Sequence, residues 1–402
     1  MIPVLTPSKE ECCGCKACAN ACSRNAISFQ PDKYGFEYPH IDAEKCIECG
    51  KCIKVCDFKK SEQEGVILHQ PLEGYAARHI EKEVYANSTS GGVFSALAQW
   101  IIERGGVVFG CAYSDDWRTV HIEADTMDKV VSMRGSKYVQ SDIGDTFQLV
   151  KSRLQEGKWV LFAGTPCQVA GLYACLGKTN NEKLLTADVV CHGVPSPLVF
   201  KKYISYIESK YHKKVTDFQF RNKKYGWEKP SITIGFNDGS CKNWSVIKDI
   251  YYEAFYYSLI QRPSCFDCKY ATSKRVGDFT LGDFWGWKKA NVTMSTKEGV
   301  CCCLLNTEKA KKVFPQLHIN TNSVTPESII RGNYHLRNKT KKQKEWEAVM
   351  NTIVNEGFDK YAIRFRKQHI VSMAKAYIKK TTVFHVIQKI LLSRKSIKTG
   401  RF

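Results

Sequence analysis

The chain has 402 residues, enough for two or three domains and for the burial of a large cofactor. It contains no run of about 18 apolar residues, and its start lacks a basic segment followed by an apolar one, so the sequence predicts a cytoplasmic protein. The chain has 19 cysteines and is 43% hydrophobic, which argues against a small secreted disulfide scaffold. Ligation of metal by thiolates explains so many cysteines better.

The net charge of +20 is concentrated at the C-terminal end. Twelve lysines and arginines follow Asp359, and no acidic residue lies among them. The basic excess is therefore mainly a property of the tail and not of the rest of the chain.

Two cysteine runs near the N-terminus share the spacing C-x2-C-x2-C-x3-C. The runs are Cys12, Cys15, Cys18 and Cys22, followed by Cys46, Cys49, Cys52 and Cys56. Three thiolates on one tight loop suit three corners of a 4Fe-4S cubane, and the fourth cysteine of each run ligates the other cluster in two-cluster ferredoxins. The spacing therefore predicts one cluster on Cys12, Cys15, Cys18 and Cys56, and a second on Cys46, Cys49, Cys52 and Cys22.

The segments AISF and FEYPHI between the two runs predict short strands, which complete a bacterial ferredoxin-like domain over residues 1–60. Ser23 and Asp57 stand where such ferredoxins usually have proline after the fourth cysteine. Cys13 is an extra thiol beside a ligand, and its simplest interpretation is a spectator. Residues 61–72 are polar and marked by glycine and proline, which predicts a linker.

Residues 73–335 alternate strand and helix patterns, which predicts a larger α/β domain. An amphipathic helix is expected to start near Ser90 and to end at Gly105 and Gly106. Free N-H groups at its start, beside Gly91 and Gly92, could cradle a phosphate, although a plain N-cap explains the same residues.

Six motifs occur in order along this domain: GGVFSAL, RGSKYVQS, GTPCQ, CHG, CxxCKY and GDFTLGDFWG. In this order they resemble the beta-subunit family of coenzyme F-420 hydrogenases and dehydrogenases, here fused to an N-terminal ferredoxin domain. The resemblance spans residues 5–335. It implies a flavoprotein that passes electrons between iron-sulfur clusters, FAD and a deazaflavin or other acceptor.

The resemblance also implies a third 4Fe-4S cluster on four cysteines of the larger domain. The expected ligands are Cys167, Cys191, Cys265 and Cys268. The pattern agrees, since a C-x2-C pair needs two more soft ligands and the other two cysteines follow strands. Zinc is the rival occupant of such a set.

The same resemblance places FAD against two of the motifs. It implies that Ser90, Gly91 and Gly92 meet the pyrophosphate, and that Gly135, Ser136, Lys137, Tyr138 and Ser141 line the flavin. Lys137 could stabilise the reduced ring, or it could be a surface charge. His192 could deliver protons, since its unperturbed pKa lies near neutrality, or it could donate a hydrogen bond to cluster sulfur. These two are the candidate catalytic residues.

Two further features, a cysteine-rich strand and a basic tail, do not point to a catalytic or cofactor site. Cys301, Cys302 and Cys303 lie on an apolar strand, where successive side chains alternate in direction, so we expect core residues and not one metal site. Residues 336–402 predict a basic helical tail. Its apolar residues between Val383 and Leu391 could lie on an anionic membrane surface at the inner face or on an acidic partner, or they could pack on their own domain and leave a solvated basic side. The sequence does not favour nucleic acid.

Together these features predict an iron-sulfur flavoprotein oxidoreductase, which exchanges electrons with a one-electron carrier such as a ferredoxin and acts on a small-molecule substrate. Two alternatives remain at this point. One is an electron-transfer subunit of a larger complex without its own substrate site, and the other is a membrane-surface scaffold with structural clusters. The fold expected is α+β and α/β, with a helical tail.

Overall fold

The structure is a computed structural model that describes residue 5, residues 8–177 and residues 181–366. The strands are β1 Ile27–Pro31, β2 Glu37–Ile41, β3 Glu73–His79, β4 Val107–Tyr113, β5 Thr119–Ala124, β6 Val160–Gly164, β7 Leu184–Val189, β8 Val215–Asn222, β9 Ser231–Phe236, β10 Cys241–Ser245, β11 Phe279–Asp283, β12 Cys301–Leu305 and β13 Ile319–Val324.

The α-helices of the described residues alternate with these strands in the body and follow them at the C-terminal side. They are α1 Ala17–Asn20, α2 Lys51–Lys54, α3 Lys82–Ala86, α4 Val93–Ile102, α5 Met127–Val131, α6 Thr146–Gln155, α7 Pro166–Leu176, α8 Pro197–Tyr211, α9 Ile250–Tyr256, α10 Glu308–Val313, α11 Pro326–Gly332, α12 Trp346–Glu356 and α13 Phe358–Tyr361.

The N-terminal segment has the expected ferredoxin-like elements. The predicted strands are confirmed as β1 and β2, which pair antiparallel with Ile27 opposite Ile41. Each cysteine run carries one short helix, α1 or α2. The turn between the strands places Tyr34 and Phe36 in an apolar core shared with α8 and α12, so this segment packs against the rest of the chain.

The larger domain is built on an eight-stranded sheet in the order β13-β3-β12-β11-β7-β6-β4-β5. Strands β4, β6, β7 and β11 form its parallel centre, and the other pairings are antiparallel. Helix α7 follows β6 directly, and Thr165 and Gln168 form a capping box at its start. The predicted α/β architecture is confirmed, and the carboxyl ends of the parallel strands define the edge where ligands usually bind.

Helix α4 confirms the predicted amphipathic helix but begins at Val93, three residues after the predicted start. The difference has a local cause, because Gly92 has a φ of 83° and cannot continue a right-handed helix backwards. Cys301 and Cys303 face one apolar core and Cys302 faces another, as the alternation on β12 requires. All three are buried, which confirms their assignment to the core.

A three-stranded antiparallel sheet, β10-β9-β8, lies beside the main sheet. Its inner face joins α8, α9, α12 and α13 in a core rich in aromatic side chains, including Phe200, Tyr203, Phe218, Phe220 and Tyr251. Helices α12 and α13 belong to the segment predicted as a tail, and they pack into this core.

No helix of the described residues is long and apolar enough to cross a membrane. The predicted basic amphipathic helix between Val383 and Leu391 lies outside the described residues. Residues 338–345, at the start of the predicted tail, are not helical.

Candidate metal and redox site

Four cysteines from the two runs line one surface pocket of about 400 Å³, which we call the distal site. They are Cys22, Cys46, Cys49 and Cys52, the set predicted for one cluster. Cys49 is exposed, and the neighbouring side chains of Ile47 and Ile53 are 59% and 54% exposed. The distal site is therefore the cysteine set of the N-terminal segment that faces solvent.

The other four cysteines of the runs form the proximal site: Cys12, Cys15, Cys18 and Cys56. Burial raises the pKa of the Cys18 thiol, and the nearby thiols of Cys15, Cys12 and Cys56 raise it further. Burial likewise raises the pKa of Cys56 to about 11. The structure thus brings together the two cysteine sets that the crossed pairing predicts, one at the surface and one inside.

The body of the protein closes directly over the proximal site. Gly171 on α7 lies so close to it that an added Cβ would stand 3.0 Å from Cys15 Sγ. Asp57, which replaces the usual proline, is 3% exposed and accepts hydrogen bonds from Tyr270 Oη at 2.5 Å and from the Val66 N-H at 2.6 Å. The departure from the ferredoxin pattern therefore has a structural role, because this carboxylate ties the second cysteine run to the CxxCKY motif.

Four cysteines from the larger domain line a second pocket of about 540 Å³, which we call the body site. They are Cys167, Cys191, Cys265 and Cys268, the set expected for a third cluster. Cys167 lies in the first turn of α7 and Cys191 follows β7, whereas the C-x2-C pair lies in and just after the short 3-10 helix Pro263–Asp267. The carboxyl ends of two adjacent parallel strands thus meet a loop that is distant in sequence.

Polar groups of the protein already point at the body-site sulfurs. The Gly193 N-H donates to Cys191 Sγ at 3.3 Å, and the Val194 N-H donates to Cys265 Sγ at 3.4 Å. Thr165 Oγ1 lies 3.2 Å from Cys167 Sγ. Such donors stabilise anionic sulfur, so the pocket is prepared for thiolates and not for an apolar core.

Cys13 lines the body-site pocket together with these four cysteines. Its thiol makes hydrogen-bonding contacts with both Cys15 and Cys167, and these contacts raise the pKa of Cys13 well above its usual value. The contact from Cys13 is the main cause that lowers the pKa of Cys167 to about 7. Cys13 therefore lies between the proximal and body sites.

Arg262 holds the proximal and body sites in position next to each other. Its guanidinium is fully buried and donates from Nε to the Cys12 carbonyl at 2.7 Å and from Nη2 to the Glu37 carbonyl at 2.8 Å. Nη1 donates to Gln140 Oε1 at 3.0 Å, and Gln140 Nε2 donates to the Cys13 carbonyl at 3.1 Å. Because Arg262 directly precedes the 3-10 helix that bears Cys265, the first cysteine run is held against the body site.

A buried ion pair supports the body site from below. Arg275 lines its pocket, and Arg275 Nη2 lies 2.7 Å from Asp188 Oδ1, with both side chains almost fully buried. Asp188 also accepts from Thr280 Oγ1 at 2.8 Å and from the Gly277 N-H at 2.9 Å. Asp188 lies on β7, three residues before Cys191, so the pair orients that segment.

His192 follows Cys191 of the body site directly and is partly buried. Its ring stacks on His335 at 4.3 Å, and Nε2 lies 3.1 Å from Ser258 Oγ. Burial, followed by the neighbouring His335, lowers the pKa of His192 to about 3. The imidazole is therefore neutral near pH 7, which fits a hydrogen-bonding role better than storage of a proton.

The residues expected to meet the FAD pyrophosphate are mostly engaged within the protein. Ser90 Oγ donates to the Val300 carbonyl at 2.7 Å, and the Gly91 N-H donates to Cys301 Sγ at 3.1 Å. Gly91 is packed so closely that a Cβ would stand 2.2 Å from the Ala77 carbonyl oxygen. Gly92, in contrast, directly precedes α4, whose first-turn N-H groups face no helical acceptor.

The RGSKYVQS loop lies against that helix start. The Ser136 N-H donates to Thr89 Oγ1 at 2.8 Å, which joins the two motifs expected at the flavin. Gly135 is exposed and has a φ of 82°. Ser141 Oγ accepts from Gln168 Nε2 at 2.9 Å, so this hydroxyl supports the GTPCQ motif.

Lys137 and Tyr138 point into different surroundings. Lys137 Nζ donates to the carbonyls of Ser132 and Arg134, both at 2.9 Å, and burial lowers its pKa. Tyr138 stacks on Phe255 at 4.4 Å. The structure thus separates two residues that are adjacent in sequence and were both expected at the flavin.

A buried arginine that the sequence analysis missed meets Tyr138. Arg221 Nη1 donates to Tyr138 Oη at 3.2 Å and to Asp283 Oδ2 at 2.8 Å, while Nε and Nη2 are buried without a protein partner. Trp227 Nε1 donates to the other Asp283 oxygen at 2.9 Å. In the sequence, the signal for Arg221 is weak: it is a charged residue that directly follows the apolar positions Phe218 and Phe220 on β8.

Within the described residues, no group of three or more His, Cys, Asp or Glu side chains is arranged to hold a single metal ion. A cubane needs a wider set, because iron and sulfide stand between its four thiolates. Each of the three cysteine sets offers four soft sulfur ligands.

Comparisons with known proteins cover both the N-terminal segment and the larger domain. Residues 11–60 match the 4Fe-4S dicluster domain. Residues 74–147 match the N-terminal part of the coenzyme F420 hydrogenase/dehydrogenase beta subunit, and residues 157–329 match its C terminus. The fold and the N-terminal cysteine runs define an iron-sulfur electron-transfer protein. The chain belongs to the coenzyme F420 hydrogenase/dehydrogenase beta-subunit family, with a 4Fe-4S dicluster domain at its N-terminus, which confirms the predicted resemblance.

No curated protein matches the chain. Among solved structures, a chain of the F420-reducing [NiFe] hydrogenase complex from Methanosarcina barkeri is similar at 17% identity and a TM-score of 0.44. The similarity covers 73% of this chain and 90% of that chain.

Proposed function

We propose that the chain is an oxidoreductase with three 4Fe-4S clusters and FAD, which takes single electrons from a carrier protein and uses them on a small-molecule substrate. The distal, proximal and body sites would each hold one cluster through the four cysteines named above. The observation that carries the proposal is the body-site pocket, where four cysteines of the larger domain lie together with Cys13 of the first cysteine run.

The residues present fit this assignment. Each site offers four cysteines, and backbone N-H groups point at body-site sulfur. Burial raises the pKa of Cys191 and of Cys268 to about 12, so desolvation opposes the thiolate forms that the backbone donors favour. A cationic iron centre reverses that preference, as metal binding does for coordinating thiols generally.

The sites also form an ordered series from the surface inward. The distal site faces solvent, the proximal site is covered by α7, and the body site adjoins the proximal site through Cys13. Iron-sulfur clusters supply one-electron transfer at potentials set by charge, hydrogen bonds and exposure. The order of the sites supports a carrier that docks at the distal end.

For FAD, the residues fit in part. The exposed Gly135, the Ser136 contact with Thr89 and the open start of α4 leave a surface on which a pyrophosphate could meet backbone N-H groups. The Ser90 hydroxyl and the Gly91 amide are already used by the protein, so we assign them a supporting role around that surface. Bound FAD would supply the exchange between one-electron clusters and a two-electron substrate.

The deciding experiment is anaerobic purification of the full chain, with iron, sulfide and flavin measured per chain. We expect about twelve irons, in three cubanes of four, together with one FAD. Cys265→Ser should remove about four irons from the body site and leave the other two sites filled. Cys49→Ser is the matched control, since it should remove about four irons from the distal site only.

A result of about eight irons without flavin would overturn the enzyme proposal. It would leave a two-cluster electron-transfer module that depends on a partner for its substrate site. Twelve irons without flavin would support the third cluster and contradict the proposal that the chain binds FAD.

A further inference from the structure

Arg221 is 8% exposed, and the protein uses only one end of its guanidinium. Nη1 donates to Tyr138 Oη at 3.2 Å and to Asp283 Oδ2 at 2.8 Å. Nε and Nη2 are buried and have no hydrogen-bond partner among the described residues. These two nitrogens form the edge of a guanidinium that can meet two oxygens of a carboxylate or phosphate at once. The free edge of Arg221 is therefore the one best suited to an oxyanion.

Asp283 does not close this edge, because both of its oxygens are already held. Oδ2 accepts from Arg221 Nη1, and Oδ1 accepts from Trp227 Nε1 at 2.9 Å. Trp227 is 1% exposed, so the carboxylate is fixed at one end of the guanidinium. Asp283 also ends β11, which pairs parallel with β7, and ligands usually bind beyond the carboxyl ends of such strands.

A second cation follows Arg221 two residues further along the chain. Lys223 Nζ donates to backbone carbonyls, including those of Glu298 at 2.7 Å and Ser90 at 2.5 Å. Burial lowers the pKa of Lys223 to about 8, so its amine is still mainly protonated at pH 7. Among the described residues, Asp283 is the one carboxylate hydrogen-bonded to either cation. The cluster therefore keeps a positive charge, which favours an anion.

The backbone of β8 directs Arg221 away from the aromatic core. Phe218 and Phe220 belong to that core, and the antiparallel register with β9 shifts between Gln219 and Asn222. Irregularities of this kind re-aim a side chain and are frequent beside active sites. The local strand geometry thus accounts for a charged side chain that is buried beside the main sheet.

We propose that the Nε and Nη2 edge of Arg221 binds an oxyanion group, a carboxylate or a phosphoryl group, beside the surface proposed for FAD. Its place beside a flavin rests on the proposed function, because Tyr138 and Ser90 belong to the motifs expected there. The Trp285 ring lies 5.4 Å from the guanidinium carbon and is 48% exposed, so the cluster reaches solvent at this indole. Two molecules carry such a group: the small-molecule substrate and FAD, through its pyrophosphate.

The test is equilibrium dialysis of the full-length protein, purified anaerobically, against radiolabelled acetate or phosphate, with iron and flavin measured in each sample. Arg221→Lys keeps the charge but loses the two-nitrogen edge, so we expect the affinity for the probe to fall about tenfold. Asp283→Asn removes the competing carboxylate, so we expect the affinity to rise about threefold. Arg118→Lys is the matched control, because the Arg118 side chain is 64% exposed and pairs with Asp116 at the surface.

The flavin content identifies the source of the oxyanion. Retained flavin with weaker probe binding in Arg221→Lys would assign the site to a group of the substrate. A parent protein that holds flavin and excludes both probes, together with loss of flavin but not of iron in Arg221→Lys, would assign the site to the FAD pyrophosphate.

Retained flavin with equal probe affinity in the parent protein, Arg221→Lys and Asp283→Asn would overturn this inference alone. Retained flavin in Arg221→Lys would also overturn it if the parent protein bound neither probe. A parent protein that lacks flavin but binds a probe through Arg221 would contradict the proposed FAD and leave the oxyanion site. If Arg221→Lys lost its iron and did not fold, Asp283→Asn would decide, since a purely structural ion pair predicts no rise in probe affinity.

Discussion

The distal and body sites use the same ligand chemistry but are built in opposite ways. The distal site comes from loops and one four-residue helix within residues 22–54, and it faces solvent. The body site gathers cysteines spread from Cys167 to Cys268 and is held by buried charge, backbone donors and the carboxyl ends of parallel strands. The four cysteines are thus brought together by short-range spacing in the distal site and by the whole fold in the body site.

Because the body site depends on the whole fold, substitutions that destabilise the larger domain should disturb the body site more than the distal site. Asp188→Ala should have the largest effect on stability, because it leaves the Arg275 guanidinium buried without its carboxylate. Breaking such a pair costs about 3–5 kcal/mol. The free energy of unfolding, from anaerobic urea denaturation, measures this loss.

The control for Asp188→Ala is Glu228→Ala. Glu228 lies 3.3 Å from Lys288 in an ion pair whose side chains are 52% and 66% exposed. Exposed ion pairs contribute about 0–1 kcal/mol, so Glu228→Ala should leave the free energy of unfolding almost unchanged. Equal losses in the two variants would show that buried charge does not support the body site.

Gly171→Ala should affect the proximal site and leave the distal site unchanged. The added methyl group would stand 3.0 Å from Cys15 Sγ, and overpacking of this kind costs about 1–3 kcal/mol. We expect a changed EPR signal from the proximal cluster and an unchanged one from the distal cluster. A signal altered at both clusters would mean that the two sites are not independently packed.

The contrast between the sites also explains what the sequence could predict. The spacing of the two N-terminal runs predicted both cysteine sets and their crossed pairing, because three ligands of a cubane lie close together in the sequence there. The alternation of strands and helices predicted the α/β sheet and α4 in the same way. For Cys167, Cys191 and the C-x2-C pair, spacing alone left zinc and a cluster open, and only the sheet order brings these residues to one pocket.

Residues that act through tertiary contacts were not predictable. Arg262 and Gln140 have no motif of their own, yet they hold the first cysteine run against the body site. Arg221 lies on a strand whose pattern indicates only alternation, and its partners Tyr138 and Asp283 come from distant motifs. The Asp57 carboxylate appeared as a departure from a pattern, and its contact with Tyr270 supplies the reason for it.

Removal of iron by a chelator should follow the exposure of the sites. With an anionic chelator under anaerobic conditions, we expect the first four irons to leave about tenfold faster than the rest, since exposed regions open at lower free energy than cores. Cys49→Ser, which lacks the distal cluster, should lose this fast phase. A fast phase that survives in Cys49→Ser would place the labile cluster elsewhere.

The smallest effect is expected at the rim of the distal site, where Ile47 lines the pocket and is exposed. Exposed apolar side chains beside a redox site favour a weak, transient contact with a carrier protein. Ile47→Glu should raise the KM for a reduced bacterial-type ferredoxin about fivefold, close to 1 kcal/mol, because it removes apolar contact area and adds a negative charge. The rate with dithionite, a small reductant, should not change. Ile67→Glu is the control, since Ile67 is 74% exposed in the linker and does not line the distal pocket. If both variants raised the KM equally, the carrier would not recognise the distal rim, and the inward order of the three sites would lose its starting point.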